Sequence, residues 1–98
     1  MSVATTPARH VPELSDLWDE WLEDPRASVG GYAFTPDAVY IVLPRAGLRV
    51  FALAPAKNEL TGASWTLSGT VAAPTLRPSL HIRGVWHGWM TDGELVEV

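Results

Sequence analysis

The apolar pattern of this sequence changes period once, near Gly30, and that change limits the chain to a short helix followed by a succession of short strands. Before it, Val11, Leu14, Leu17, Trp18, Trp21 and Leu22 recur at helical spacing and give one apolar face. Pro12 suits a first helical position, and Pro25 ends the run, so a helix is predicted over 12–24. Glu13, Asp16, Asp19, Glu20, Glu23 and Asp24 occupy the rest of its surface. Carboxylates near its C-terminal end oppose the helix dipole, so packing of the two tryptophans has to hold it. After Gly30 the β-formers come in short runs separated by Pro and Gly. Strands are predicted at 32–34, 38–43, 48–54, 65–67, 80–82, 85–90 and 94–98. The segment 38–54 reads as a hairpin turning at Pro44–Gly47. Asp92-Gly93 is the strongest short hairpin signal in the chain. Val71–Pro78 holds Pro74 and Pro78 and is predicted to lie outside any interior strand.

These elements make one mainly β domain over 1–98, a small antiparallel β-sandwich or curled sheet with one short N-terminal helix. Residues 1–10 read as an extended arm, 12–24 as the helix and 30–98 as the β-rich core. The chain has 98 residues, room for one core. Charged residues make up only 18% of it against 47% hydrophobic ones. That argues against disorder and leaves less solvated surface than a free monomer usually has. The arm holds no large apolar side chain except Met1 and Val3, so its contacts are expected on a neighbouring chain, whereas the helix is expected to pack on the domain's own sheet.

Composition removes several function classes. The net charge is −4, and Arg9, Arg26, Arg45, Arg49, Arg77 and Arg83 are scattered along the sequence with Lys57. Nucleic-acid backbones are bound by basic stripes, so nucleic acid is not expected as a partner. No run approaches the roughly 20 apolar residues of a membrane span, nor is there a signal-type apolar segment near the N-terminus. There is no Cys, which removes disulfides, thiolate metal sites and a Cys nucleophile.

The remaining chemistry is sparse. A two-residue turn at Arg83-Gly84 would pair His81 with Trp86 and send His81 and His87 to opposite faces. A three-residue turn would bring the two histidines together. A metal site would still need a third ligand, which Asp92 or Glu94 would have to supply, so no metal and no cofactor are expected. The acidic helix residues read as a solvated face. No serine stands in a nucleophile elbow, and no glycine pattern matches a phosphate cradle. The chain is therefore expected not to be an enzyme. The tryptophans are the stronger signal. Trp86 and Trp89 are three apart on one strand, so one enters the core and the other faces outward. Trp18, Trp21, Trp86, Trp89 and His87 are the candidate interface residues.

About thirty residues of the C-terminal part carry a resemblance. They are Trp65-Thr66-Leu67-Ser68-Gly69, then Pro74-Thr75-Leu76-Arg77-Pro78-Ser79-Leu80, then Trp86-His87-Gly88-Trp89 and Thr91-Asp92-Gly93. This resembles the small uncharacterised proteins of tailed phages and prophages that are often mislabelled as ammonia monooxygenase. Many of those carry a Cys where this chain has Trp86. The resemblance implies a phage or prophage origin and supplies no mechanism. With the missing chemistry and the tryptophans it leads to the expectation of a non-enzymatic phage protein acting by protein–protein binding. It would be a small virion or assembly component, in the virion or in the host cytoplasm, contacting other phage structural subunits or itself. An accessory factor that binds a host protein, such as a defence antagonist, is the alternative, and a small metal-dependent enzyme is a third reading. Thr75 and Ser79 beside prolines are expected to spend their hydroxyls on backbone groups.

Overall fold

The computed structural model describes residues 4–98, so Met1–Val3, the first part of the arm, lie outside the described residues. The chain forms β1 (Thr5–Pro7), β2 (Arg9–His10), α1 (Leu14–Glu23), β3 (Gly31–Thr35), β4 (Ala38–Leu43), β5 (Gly47–Ala52), β6 (Thr66–Gly69), β7 (Pro74–Ile82), β8 (Trp86–Thr91) and β9 (Glu94–Glu97). Five strands make one sheet in the order β1-β9-β8-β7-β6, and four make the other in the order β2-β3-β4-β5. The fold is a small β-sandwich with one short helix.

The core lies between the sheets. Tyr32, Val39, Ile41, Leu43 and Phe51 of the four-stranded sheet meet Leu76, Leu80, Trp86, Met90 and Leu95 of the five-stranded one. The alternation of each strand puts these residues on one face. The helix lies on the opposite face of the four-stranded sheet. There Leu17 is fully buried with Val11, Ala33 and Val42, flanked by Leu14, Trp21 and Leu48. The expected packing of the helix on the domain's own sheet is therefore observed, and the molecule has three layers.

The arm differs from expectation. β1 pairs antiparallel with β9, and β2 pairs parallel with β3, so one short segment supplies an edge strand to each sheet. Between them Ala8 N–H donates to Gly93 O at 2.9 Å, and Arg9 N–H donates to Gly30 O at 2.9 Å. Its contacts are made within the molecule by backbone groups, which is why a lack of apolar side chains did not keep it free.

A second correction concerns Pro74 and Pro78. Both lie in β7, which is an interior strand between β6 and β8. Pro74 is the first residue of the strand, where a missing N–H costs least. Pro78 falls in a bulge: between Leu76 and Leu80 of β7, β8 advances only from Met90 to Gly88. The extra residues leave Pro78 out of the ladder. The Asp92-Gly93 turn forms as predicted, with φ of 47° and 77° at its two residues and Thr91 paired with Glu94.

Tyr32 ties the sheets together at one end. Its hydroxyl donates to Val71 O at 2.7 Å while the ring is fully buried. Burial raises its pKa above the ordinary tyrosine value, because the phenolate would have to leave water. In the unfolded chain the hydroxyl ionises first, so the unfolded state is favoured as pH climbs past 10. Stability is expected to be intact below that pH and to fall above it. Tyr32→Phe should flatten this alkaline fall in urea titrations across pH 8 to 11, at a cost near neutrality of about 1 kcal/mol for the lost hydrogen bond.

Candidate functional site

The three-residue loop Arg83-Gly84-Val85 sets the geometry of the outer face of the five-stranded sheet. Ile82 pairs with Trp86 and His81 with His87, so the two histidines share a face. Their ring centroids are 4.5 Å apart, and the His87 ring lies 5.8 Å from that of Trp89. The loop length follows from the core. Leu80, Ile82, Trp86 and Met90 all turn inward only in this register, and a slip by one residue would expose half of them. Trp86 is accordingly 3% exposed and Trp89 36% exposed. The prediction that one enters the core and one faces outward holds.

Ser79 completes the cluster. Its Oγ lies 3.0 Å from His87 Nε2, whereas a backbone partner was expected for this hydroxyl. Thr75 does meet the backbone, accepting from Asp92 N–H at 2.9 Å. A serine hydroxyl against an imidazole is the first contact of a nucleophile–base pair. The other parts of such a site do not accompany it among the described residues. The other hydrogen bonds of the cluster give His87 no carboxylate to orient it, and Asp92 Oδ1 is beside Thr75 Oγ1 at 3.4 Å. Three cavities lie elsewhere, around α1 with β2, along the end of α1, and at the β4–β5 turn. No group of three or more His, Asp or Glu capable of holding a metal ion occurs among the described residues. The cluster is a half-exposed aromatic surface stiffened by one side-chain hydrogen bond.

The second candidate surface is formed by α1. Trp21 is half-buried, with its indole over the β4–β5 turn: Cζ2 lies 3.2 Å from where a Cβ on Gly47 would stand. Trp18 packs edge-on against Trp21 at 5.6 Å between centroids and remains 40% exposed. Arg9 of β2 pairs with Glu20 at 2.8 Å, which fixes the acidic side of the helix over β2. At 100° per residue, Trp18 and Leu22 then fall on the opposite flank, toward β5. Leu22 is 69% exposed and Val50 of β5 is 55% exposed.

Of the five residues singled out from the sequence, the structure joins His87 with Trp89 on one outer face and Trp18 with Trp21 on the other. Trp86 belongs to the core and is removed from the interface set. Sequence reasoning missed Ser79 as a partner of His87, since that contact depends on the register set by the loop after Ile82. It also missed Leu48 and Val50, which read only as one side of a hairpin. Among the described residues no helix is long and apolar enough to cross a membrane.

Comparison of the chain with protein-family models, with curated proteins and with solved structures finds no match.

Proposed function

We propose that the chain is a non-enzymatic protein-binding domain of a tailed phage or prophage, acting as a small virion or assembly component. The observation that carries the binding part is the exposure of two aromatic clusters, Trp89 with His87 and Trp18 with Trp21, on opposite faces of so small a sandwich. Half-exposed Trp on an otherwise folded surface is the residue type that anchors protein interfaces. Opposite faces would suit a subunit that sits between two neighbours. The phage part rests on the sequence resemblance of the Pro-Thr-Leu-Arg-Pro-Ser run and the residues after it.

The acidic helix favours the second reading, a factor that docks on a basic host protein, because opposite charge steers such encounters. Mass spectrometry separates the two. In particles purified from cells induced to release the phage that carries this gene, the chain is expected at a fixed copy number relative to the capsid subunit. Finding it in infected-cell lysate and never in particles would replace the virion reading with the host-factor one.

A further inference from the structure

Leu60 is 96% exposed, the most exposed large apolar side chain among the described residues, yet its loop has little freedom. Asn58 Oδ1 accepts from Leu60 N–H at 2.9 Å and from Thr61 N–H at 3.0 Å. Gly62 N–H donates to Asn58 O at 2.7 Å, and Asn58 N–H donates to Ala63 O at 2.9 Å. These bonds close the tip on itself, and Ser64 Oγ ties its base to Ala56 O at 2.6 Å. A leucine held out on a closed tip loses little freedom when a partner covers it, which lets one side chain anchor a contact. Glu59 beside it is exposed and forms no salt bridge among the described residues.

One cavity of the molecule matches this tip. It lies between the segment after α1 and the β4–β5 turn and has a volume of about 210 Å³. That is below the roughly 300 Å³ at which pockets for drug-sized ligands begin, so it suits one side chain. Its apolar lining is Pro25, Val29, Val42 and Leu43, and its charged lining is Arg26 and Arg45. Arg45 is taken by Glu97, whereas Arg26 forms no salt bridge among the described residues. No carboxylate lines this cavity, while the other two are lined by Glu20, Glu23 and further acids that would repel Glu59. Tip and cavity stand at opposite ends of the four-stranded sheet. The cavity is at the Leu43–Gly47 end of β4 and β5, and the loop leaves beyond Ala52, the other end of β5. The six residues of β5 separate them by about 20 Å.

We infer that Leu60 of one copy of this chain enters the cavity of a second copy, with Glu59 pairing with Arg26. The contact joins two different surfaces, so it repeats from copy to copy into a ring or a filament. It rests on the protein-binding reading above and names the partner as the chain itself. One loop tip buries far less than a standard interface, so association is expected at high protein concentration.

The test uses the full chain at near-physiological salt, with amide NMR and sedimentation velocity across a wide range of concentration. The amides of Glu59, Leu60 and Thr61 are expected to shift along the same binding curve as those of Arg26, Val29 and Gly47, while the sedimentation coefficient rises. Leu60→Asp and Arg26→Glu should each weaken self-association at least about tenfold. Neither should unfold the domain, because both side chains are exposed. Mixed together, the two variants should pair and stop at a one-to-one complex, since one keeps a native tip and the other a native cavity. Adding Glu59→Arg to the Arg26→Glu chain should restore its association. Unchanged association of Leu60→Asp, a mixture that does not pair, or a chain monomeric at every concentration would overturn the proposal. So would a tip that shifts with concentration while the cavity does not. Each of those outcomes leaves the protein-binding reading standing, and the particle measurement tests that reading independently.

Discussion

Gly88→Ala is expected to lower stability by about 3 kcal/mol or more, a drop in Tm of roughly 12 °C or more for a domain of this size. Gly88 faces the core from the middle of β8, paired with Leu80 and Glu97. A Cβ there would fall inside the contact limit of the Val96 carbonyl oxygen, a backbone atom held in β9. It would also stand 2.7 Å from Cη2 and 2.9 Å from Cζ2 of Trp86. Neither neighbour can give way cheaply. Moving Val96 breaks the β8–β9 ladder, and moving the Trp86 ring displaces the largest side chain of the core. Gly62 is the control: its φ is +74° but nothing lies within 4 Å of a Cβ there. Alanine at Gly62 should cost only about 1–2 kcal/mol of left-handed backbone strain. Urea titrations of the two variants measure the difference, and equal costs would refute the packing account of Gly88.

Leu17→Ala is expected to cost about 2–5 kcal/mol, the range for deleting a buried leucine whose surroundings collapse only partly. Leu17 is the one fully buried residue of α1, and its Cδ1 is only 2.8 Å from where a Cβ on Gly31 would stand. Helix and strand are that close because Gly31 has no side chain. Leu22→Ala, one turn on and 69% exposed, should stay within about 0.5 kcal/mol. Thermal unfolding followed by circular dichroism distinguishes the two. If Leu17→Ala proved as mild as Leu22→Ala, the helix would not be an integral layer of the fold. The remaining charged contacts offer little compensation. Arg45 bridges the sheets to Glu97, but both partners reach solvent, and such a pair contributes about 0–1 kcal/mol.

What the residues determined unaided is local. The spacing of Leu14, Leu17 and Trp21 is enough to make a helix with one apolar face, and Pro25 is enough to end it. Asp92-Gly93 dictates its turn because both residues must take positive φ. The β-forming run 39–42 and the turn at Pro44–Gly47 are enough to make a hairpin. Opposite facing of Trp86 and Trp89 follows from the two-residue period of any strand. Tertiary structure decided the features whose energy comes from distant partners. The arm became two edge strands because β9 and β3 offered unpaired backbone groups, which no property of residues 4–10 announces. Pro74 and Pro78 entered an interior strand because its first position and its bulge can do without an N–H. The loop after Ile82 took three residues because that register buries Ile82 with Trp86, and the same choice brought His81 and His87 together. The candidate binding surfaces follow the same division. The sequence marks Trp18 and Trp89 as unusual, but which flank they occupy, and what lies beside them, depends on how the sheets close over one core. A residue's face is a local property of its strand, whereas its exposure is fixed only when the opposite layer is in place.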